Sequence, residues 1–218
     1  SIASGGNYNV VVGDEAGTHL TTGDANVAVG QAAFETNNTG SYNVAIGTSS
    51  LNSNTTASNN TAVGFNSLAV NTTGANNTAV ASGALDANTT GSYNVAVGNN
   101  ALTAATTANS NTAIGESAML ATTTGADSVA VGKNAMIANT TGANNVAVGV
   151  LSLDANTSGG SNVALGHNAL TANTTASNNT AVGYASLGAN TTGTANVALG
   201  TSSGLANTTG NSNSFIGY

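Results

Sequence analysis

The stretch Asn26-Val27-Ala28-Val29-Gly30 returns, with small changes, all along the chain. Its last residue falls at Gly13, Gly30, Gly47, Gly64, Ala81, Gly98, Gly115, Gly132, Gly149, Gly166, Gly183, Gly200 and Gly217. The spacing is 17 residues each time, (217 − 13)/12, without one insertion. A flexible low-complexity linker does not hold phase over so many copies, so a periodic structure is expected. The unit reads approximately Asn-Val/Thr-Ala-Val/Ile-Gly-x-x-Ala/Ser-Leu-x-Ala-Asn-Thr-Thr-Gly-x-x.

Each column of the unit has a physical reading. The fourth is aliphatic in every copy, from Val12 and Ile46 to Leu199 and Ile216, and the second is mostly Val or Thr. On an extended segment these two share a face, with the Ala between them on the other. A second apolar column follows the glycine, as at Leu51, Leu68, Met119, Met136 and Leu187. The Asn-Thr-Thr-Gly stretch, for example 71–74, supplies turn residues. Gly, Asn, Thr and β-branched residues form helices poorly, and no apolar spacing of three and four is present. The expected fold is therefore all-β: a parallel β-solenoid of about 13 coils, each with two short strands and two turns. At about 4.8 Å per coil, twelve steps span roughly 58 Å. The Asn column (Asn9, Asn26, Asn43 and onward, with Ser128 as its exception) is expected to form an amide ladder.

Composition agrees with a thin, repeated core. The chain has 218 residues, 28 of them Gly, no Trp or Pro, and 4% aromatic residues. Charged residues are 4%, far below the usual quarter. Net charge is −7 and the only cation is Lys133, so no basic patch exists for a nucleic-acid partner. Without cysteine there is no disulfide, thiolate metal site or Cys nucleophile. No run of 18 apolar residues reads as a membrane span, and the start does not read as a signal peptide. Residues 1–8 are expected to be a partial N-terminal coil, and 9–218 a single repeat domain forming a segment of a longer fibre.

If Val, Ile and Leu fill the coil, the Ala column is left as an apolar stripe in solvent. Ala28, Ala45, Ala62, Ala79, Ala96, Ala113, Ala130, Ala147, Ala164, Ala181 and Ala198 are thus the expected subunit interface, where small side chains let identical copies approach closely. The Asn-Val-Ala-Val-Gly-x-x-Ala/Ser motif resembles the head repeat of the YadA-like trimeric autotransporter adhesins over residues 9–217. The longer unit with Asn-Thr-Thr-Gly resembles repeats of phage tail-fibre and bacterial surface-fibre proteins. The resemblance implies a homotrimer of left-handed parallel β-rolls at a cell surface or on a virion, although the adhesin repeat is shorter than 17 residues. No stalk, anchor or chaperone domain of those proteins is recognised in the chain.

No catalytic constellation stands out. His19 and His167 have no Ser or acid partner at a motif spacing and read as surface or packing residues. Asp14, Glu15, Asp24 and Glu35 cluster near the start, which suits a polar end cap better than a Ca²⁺ site. No cofactor or metal is expected. The Asn-x-Thr sequons, as at Asn54 and Asn71, follow from the repeat. The column directly after the glycine is the most variable and is expected in solvent. Its members Phe65, Lys133, Val150, His167 and Tyr184 are candidates for contact with a glycan or protein receptor, and Leu120, Ile137, Val150 and Leu151 for a local apolar patch. The expected function is a non-enzymatic extracellular fibre segment giving reach and attachment. The alternatives are a self-assembling filament subunit and, from another class, an ice-binding protein using its Thr rows.

Overall fold

The computed structural model describes residues 6–218, so Ser1–Gly5 of the expected partial coil lie outside it. The chain divides into two compact units, the first ending at Ser110 and the second spanning Asn111–Tyr218. In the first unit the strands are β1 (Val10–Val12), β2 (Val27–Val29), β3 (Val44–Ile46), β4 (Thr61–Val63), β5 (Thr78–Val80) and β6 (Val95–Val97). In the second they are β7 (Thr112–Ile114), β8 (Val129–Val131), β9 (Val146–Val148), β10 (Val163–Leu165), β11 (Thr180–Val182), β12 (Val197–Leu199) and β13 (Ser214–Ile216). Within each unit every strand pairs in parallel with the next at a register of 17, as Val27 with Val44 and Val129 with Val146. Each unit is thus a parallel β-solenoid with one turn per 17 residues, five steps from β1 to β6 in the first and six from β7 to β13 in the second.

The coil has one strand of three residues, not two strands. After the strand, the glycine takes a φ that only glycine adopts comfortably, for example +137° at Gly30. The second apolar column then lies in the left-handed region: Leu51, Leu68 and Leu187 have φ of 49°, 50° and 49°. For a residue with a Cβ this conformation costs roughly 1–2 kcal/mol. Complete burial of a leucine, worth about 1.5–3 kcal/mol, offsets it. Cross-coil bonds hold the turn as well. The Leu51 N–H donates to Ser67 O at 3.0 Å, and that of Leu68 to Ala84 O at 3.0 Å. Inter-coil hydrogen bonding therefore continues through backbone that is not extended, which is how the chain turns without losing its ladders.

The interior is only as thick as one Ala facing one Leu. Ala28, Ala45, Ala62, Ala79 and Ala96 in the first unit, and Ala113, Ala130, Ala147, Ala164, Ala181 and Ala198 in the second, are all 0% exposed in the single chain. The flanking strand residues point the other way and are half-buried or exposed, Val12, Ile46, Val148 and Leu199 among them. The inward assignment is thus the reverse of the one expected. The terminal coils exchange volume between the two core columns. Val11 stands in the Ala column with Gly17 in the Leu column, and a Cβ on Gly17 would meet Val11 Cγ2 at 3.2 Å. Phe215 takes an Ala position, and its ring lies over Gly204.

Two polar ladders share this interior. In the expected one, Asn26, Asn43, Asn60 and Asn77 are buried. Each side-chain oxygen accepts the next coil's Asn N–H, as Asn26 Oδ1 from Asn43 N at 2.9 Å, and each amide donates to the carbonyl 14 residues on, as Asn43 Nδ2 to Ala57 O at 2.9 Å. Ser128 keeps the accepting role, taking Asn145 N–H at 3.1 Å. A second ladder, from the Asn of Asn-Thr-Thr-Gly, is also fully buried: Asn54 Nδ2 donates to Asn37 Oδ1 at 2.8 Å, and Asn71 Nδ2 to Asn54 Oδ1 at 3.0 Å.

Two breaks in the repeat generate predictions. Ala105 occupies the ladder position after Asn88, and Asn88 Oδ1 is the buried side-chain oxygen left without a hydrogen bond among the described residues. Ala105→Asn restores the donor and is expected to stabilise by about 1–3 kcal/mol, the cost of an unsatisfied buried acceptor, as an increased urea midpoint with unchanged m. Ala81 holds a glycine position at φ +113°. Ala81→Gly is expected to relieve roughly 1 kcal/mol or more of backbone strain, read in the same titration; a lower midpoint would contradict that reading.

Candidate interaction surfaces

The outward face of the sheet is made by two rows, one from the first and one from the third residue of each strand. In the first unit they run Val10, Val27, Val44, Thr61, Thr78, Val95 and Val12, Val29, Ile46, Val63, Val80, Val97. In the second, Val, Thr, Ile and Leu continue the pattern, ending at Ser214 and Ile216. Neither row contains a charged residue. A long face of Val, Ile, Leu and Thr without a charge has the character of an interface. It is the counterpart of the stripe assigned to the Ala column in the sequence, on the opposite face of the same strand. The alanines themselves have no exposed surface with which to meet a second copy.

The variable column is exposed, apart from a half-buried Ser82. Phe65, at 57% exposure, belongs to the first unit, and Lys133, Val150, His167 and Tyr184 occupy four consecutive coils of the second. Lys133 Nζ lies 2.9 Å from Glu116 Oε2, both side chains 55% exposed, so this pair adds little stability. His167 and Tyr184 stack with ring centroids 5.6 Å apart and planes 10° apart. Both contacts join neighbouring coils of one column and consume ring faces and charge within the row itself. Leu120, Ile137 and Leu151 are half-buried, and Val150 is exposed beside them in sequence.

Polar residues near the N-terminal end bind their own neighbours. His19 Nδ1 is 3.0 Å from Glu35 O, Glu35 Oε2 accepts from Asn52 Nδ2 at 2.8 Å, and Asp24 Oδ1 accepts from the Asn7 N–H at 2.6 Å. Among the described residues no three His, Asp or Glu side chains come together as a metal site. A shallow groove of about 440 Å³ is lined by Thr18, His19, Leu20, Thr21, Thr36 and Asn38, with no carboxylate pair to do chemistry. The Thr rows belong to turns. Thr55, Thr72 and Thr89 donate their hydroxyls to the carbonyls of Thr72, Thr89 and Thr106, at 3.1, 2.9 and 3.0 Å. The hydroxyls of this row are tied into turns, while Thr56, Thr73 and Thr90 of the adjacent row are exposed. No helix among the described residues is long and apolar enough to cross a membrane.

No protein family, curated protein or solved structure matches the chain. The likeness to adhesin head repeats therefore rests on the repeat motif itself.

Burial raises the Asp86 carboxyl above the usual range. The folded chain then binds this proton more tightly than the unfolded one, so the contribution favours folding below the unfolded value near 3.9 and is lost as pH rises through the raised value. Asn52, two coils away in the same column, donates instead to Ala32 O at 3.1 Å. Asp86→Asn is accordingly expected to raise stability at pH 7, with the gain shrinking toward pH 3, measured by urea unfolding at both pH values. A gain that is equal or larger at pH 3 would contradict this.

Proposed function

We propose that this chain is a non-enzymatic segment of an extracellular fibre, a homotrimer of left-handed β-rolls that gives rigid reach and carries attachment to a surface or receptor. The observation that carries the reading is the uncharged, two-row aliphatic face of the sheet. Most side chains of the two rows are half-buried in the single chain, and each gains roughly 0.5 kcal/mol on full burial. Two rows over six coils then supply on the order of 5 kcal/mol per protomer, which reaches the lower end of the cost of association. A few coils are too little, and a long regular face is enough. The 17-residue register adds specificity, because a parallel copy at the same height meets the same side chain in every coil. Copy number and handedness come from the likeness to the adhesin heads.

Sedimentation equilibrium at several concentrations is expected to give a fixed mass near three times 20.7 kDa. Placing glutamate on the outer rows, as Ile46→Glu with Val148→Glu, is expected to shift the mass to that of the monomer while the circular dichroism spectrum is kept. Thr48→Glu, in the exposed variable column, serves as the control and leaves the trimer intact. A monomeric wild-type protein, or a trimer indifferent to the paired substitution, would overturn the assignment of this face.

A further inference from the structure

Three exposed tyrosines, Tyr8, Tyr42 and Tyr93, fall in one column of the first unit, two residues before the strand. They are 90%, 65% and 65% exposed in a chain with 4% aromatic residues. All three have left-handed backbones, with φ of 61°, 60° and 63°. Asn, which adopts this conformation readily, occupies the same column at Asn59 and Asn76. The backbone is left-handed at this column in other coils too, at Ala25 and Ser161 for example, so what sets the three coils apart is the exposed ring. An aromatic side chain left in water without filling the core points to a use outside the fold.

The coils between Tyr42 and Tyr93 complete a site. Consecutive coils present Tyr42, Asn59, Asn76 and Tyr93, all exposed. The rungs that carry them are unbroken: Tyr42 N–H donates to Asp24 O at 2.9 Å, Asn59 to Ser41 O at 3.1 Å, Asn76 to Ser58 O at 3.3 Å and Tyr93 to Ala75 O at 3.1 Å. The four side chains thus leave the backbone at one lateral position, one coil apart. The rise per coil, about 4.8 Å, is close to the length one β-linked pyranose adds to an extended chain. Phenol rings suit the C–H faces of sugars, and primary amides suit their hydroxyls as both donors and acceptors. The first unit contains no Lys or Arg, while Asp24 and Asp86 lie in it, so an acidic polysaccharide is disfavoured. The same column of the second unit holds Asp127, Asn144, Ser161, Asn178, Ala195 and Ser212, with no aromatic residue.

We propose that Tyr42, Asn59, Asn76 and Tyr93 form a binding row for four consecutive sugars of an extended, neutral, β-linked polysaccharide lying along the coil stack; Ala25 separates them from Tyr8. The proposal rests on the fibre reading in that it names the attachment chemistry of such a segment. The row borders the outward sheet face, so binding and assembly are measured on the same samples. Co-sedimentation of the whole chain with insoluble cellulose and with chitin, followed by calorimetry with the corresponding hexasaccharides, tests it. Binding to one of these is expected, weakened about tenfold by Tyr42→Asn and by Tyr93→Asn, and unchanged by Phe65→Asn. Asparagine suits the left-handed backbone, so these variants keep the fold. Failure to bind either polysaccharide, or binding indifferent to both Tyr variants, would overturn the sugar row. A fall in assembled mass in the Tyr variants would also overturn it and make the row a contact between copies. A monomeric wild-type protein that binds and loses binding in the Tyr variants would retain the sugar row while removing the trimer.

Discussion

Outside the short i→i−3 bonds of its turns, such as Ser50 N–H to Gly47 O, a described coil of this protein finds the partners of its backbone polar groups in the coils beside it. The N–H of Val27 needs Asn43 O, that of Phe34 needs Ser50 O, and that of Asn38 needs Thr55 O. Because these bonds run through strand and turn alike, one added residue in a coil would put most of the others out of phase and leave donors buried without acceptors. The invariant repeat length is the consequence. The buried Asn ladders impose the same condition on side chains, since each amide is satisfied by the copy one coil away and by a carbonyl fixed by the turn.

A fold governed by this constraint needs little core. Ala against Leu, with an amide ladder on either side, leaves room for few bulky residues, and the larger ones at the ends are matched by glycines opposite. Stability then comes from many equal contributions, each sensitive to position. Ala81 and Ala105 illustrate it: both are ordinary residues that are out of place only because the coil defines what each column must do.

The same regularity shapes the surfaces. A property given to one column becomes a line along the unit, so the outer strand residues make an uncharged aliphatic face and the tyrosine column a row of rings. Long linear partners, whether a second copy of the chain or an extended polymer, match such lines better than compact ligands do. This separates the surfaces proposed for assembly and attachment from the small groove beside Leu20 and from the short-range pairs of Lys133 and His167.

The sequence by itself determined the all-β parallel repeat, the 17-residue register, the first Asn ladder and the solvent-facing variable column, because these follow from periodicity and from residue chemistry in each column. Only the tertiary structure decided which side of the strand faces in. Alternation says that Val27 and Val29 share a face and that Asn26 and Ala28 share the other, and it is silent on which face is enclosed. The decision lies with the turns: glycine at φ near +137° and leucine in the left-handed region bend the chain back over the Asn and Ala side, leaving a gap that fits alanine and a buried amide but no second valine. The Asn column carried the signal, since an amide that must stack coil upon coil is protected only on the enclosed face. The second ladder and the exposed tyrosines escaped the sequence for a related reason: Asn in Asn-Thr-Thr-Gly and Tyr before Asn look like ordinary turn residues until the structure shows the first buried and the second with its ring in water.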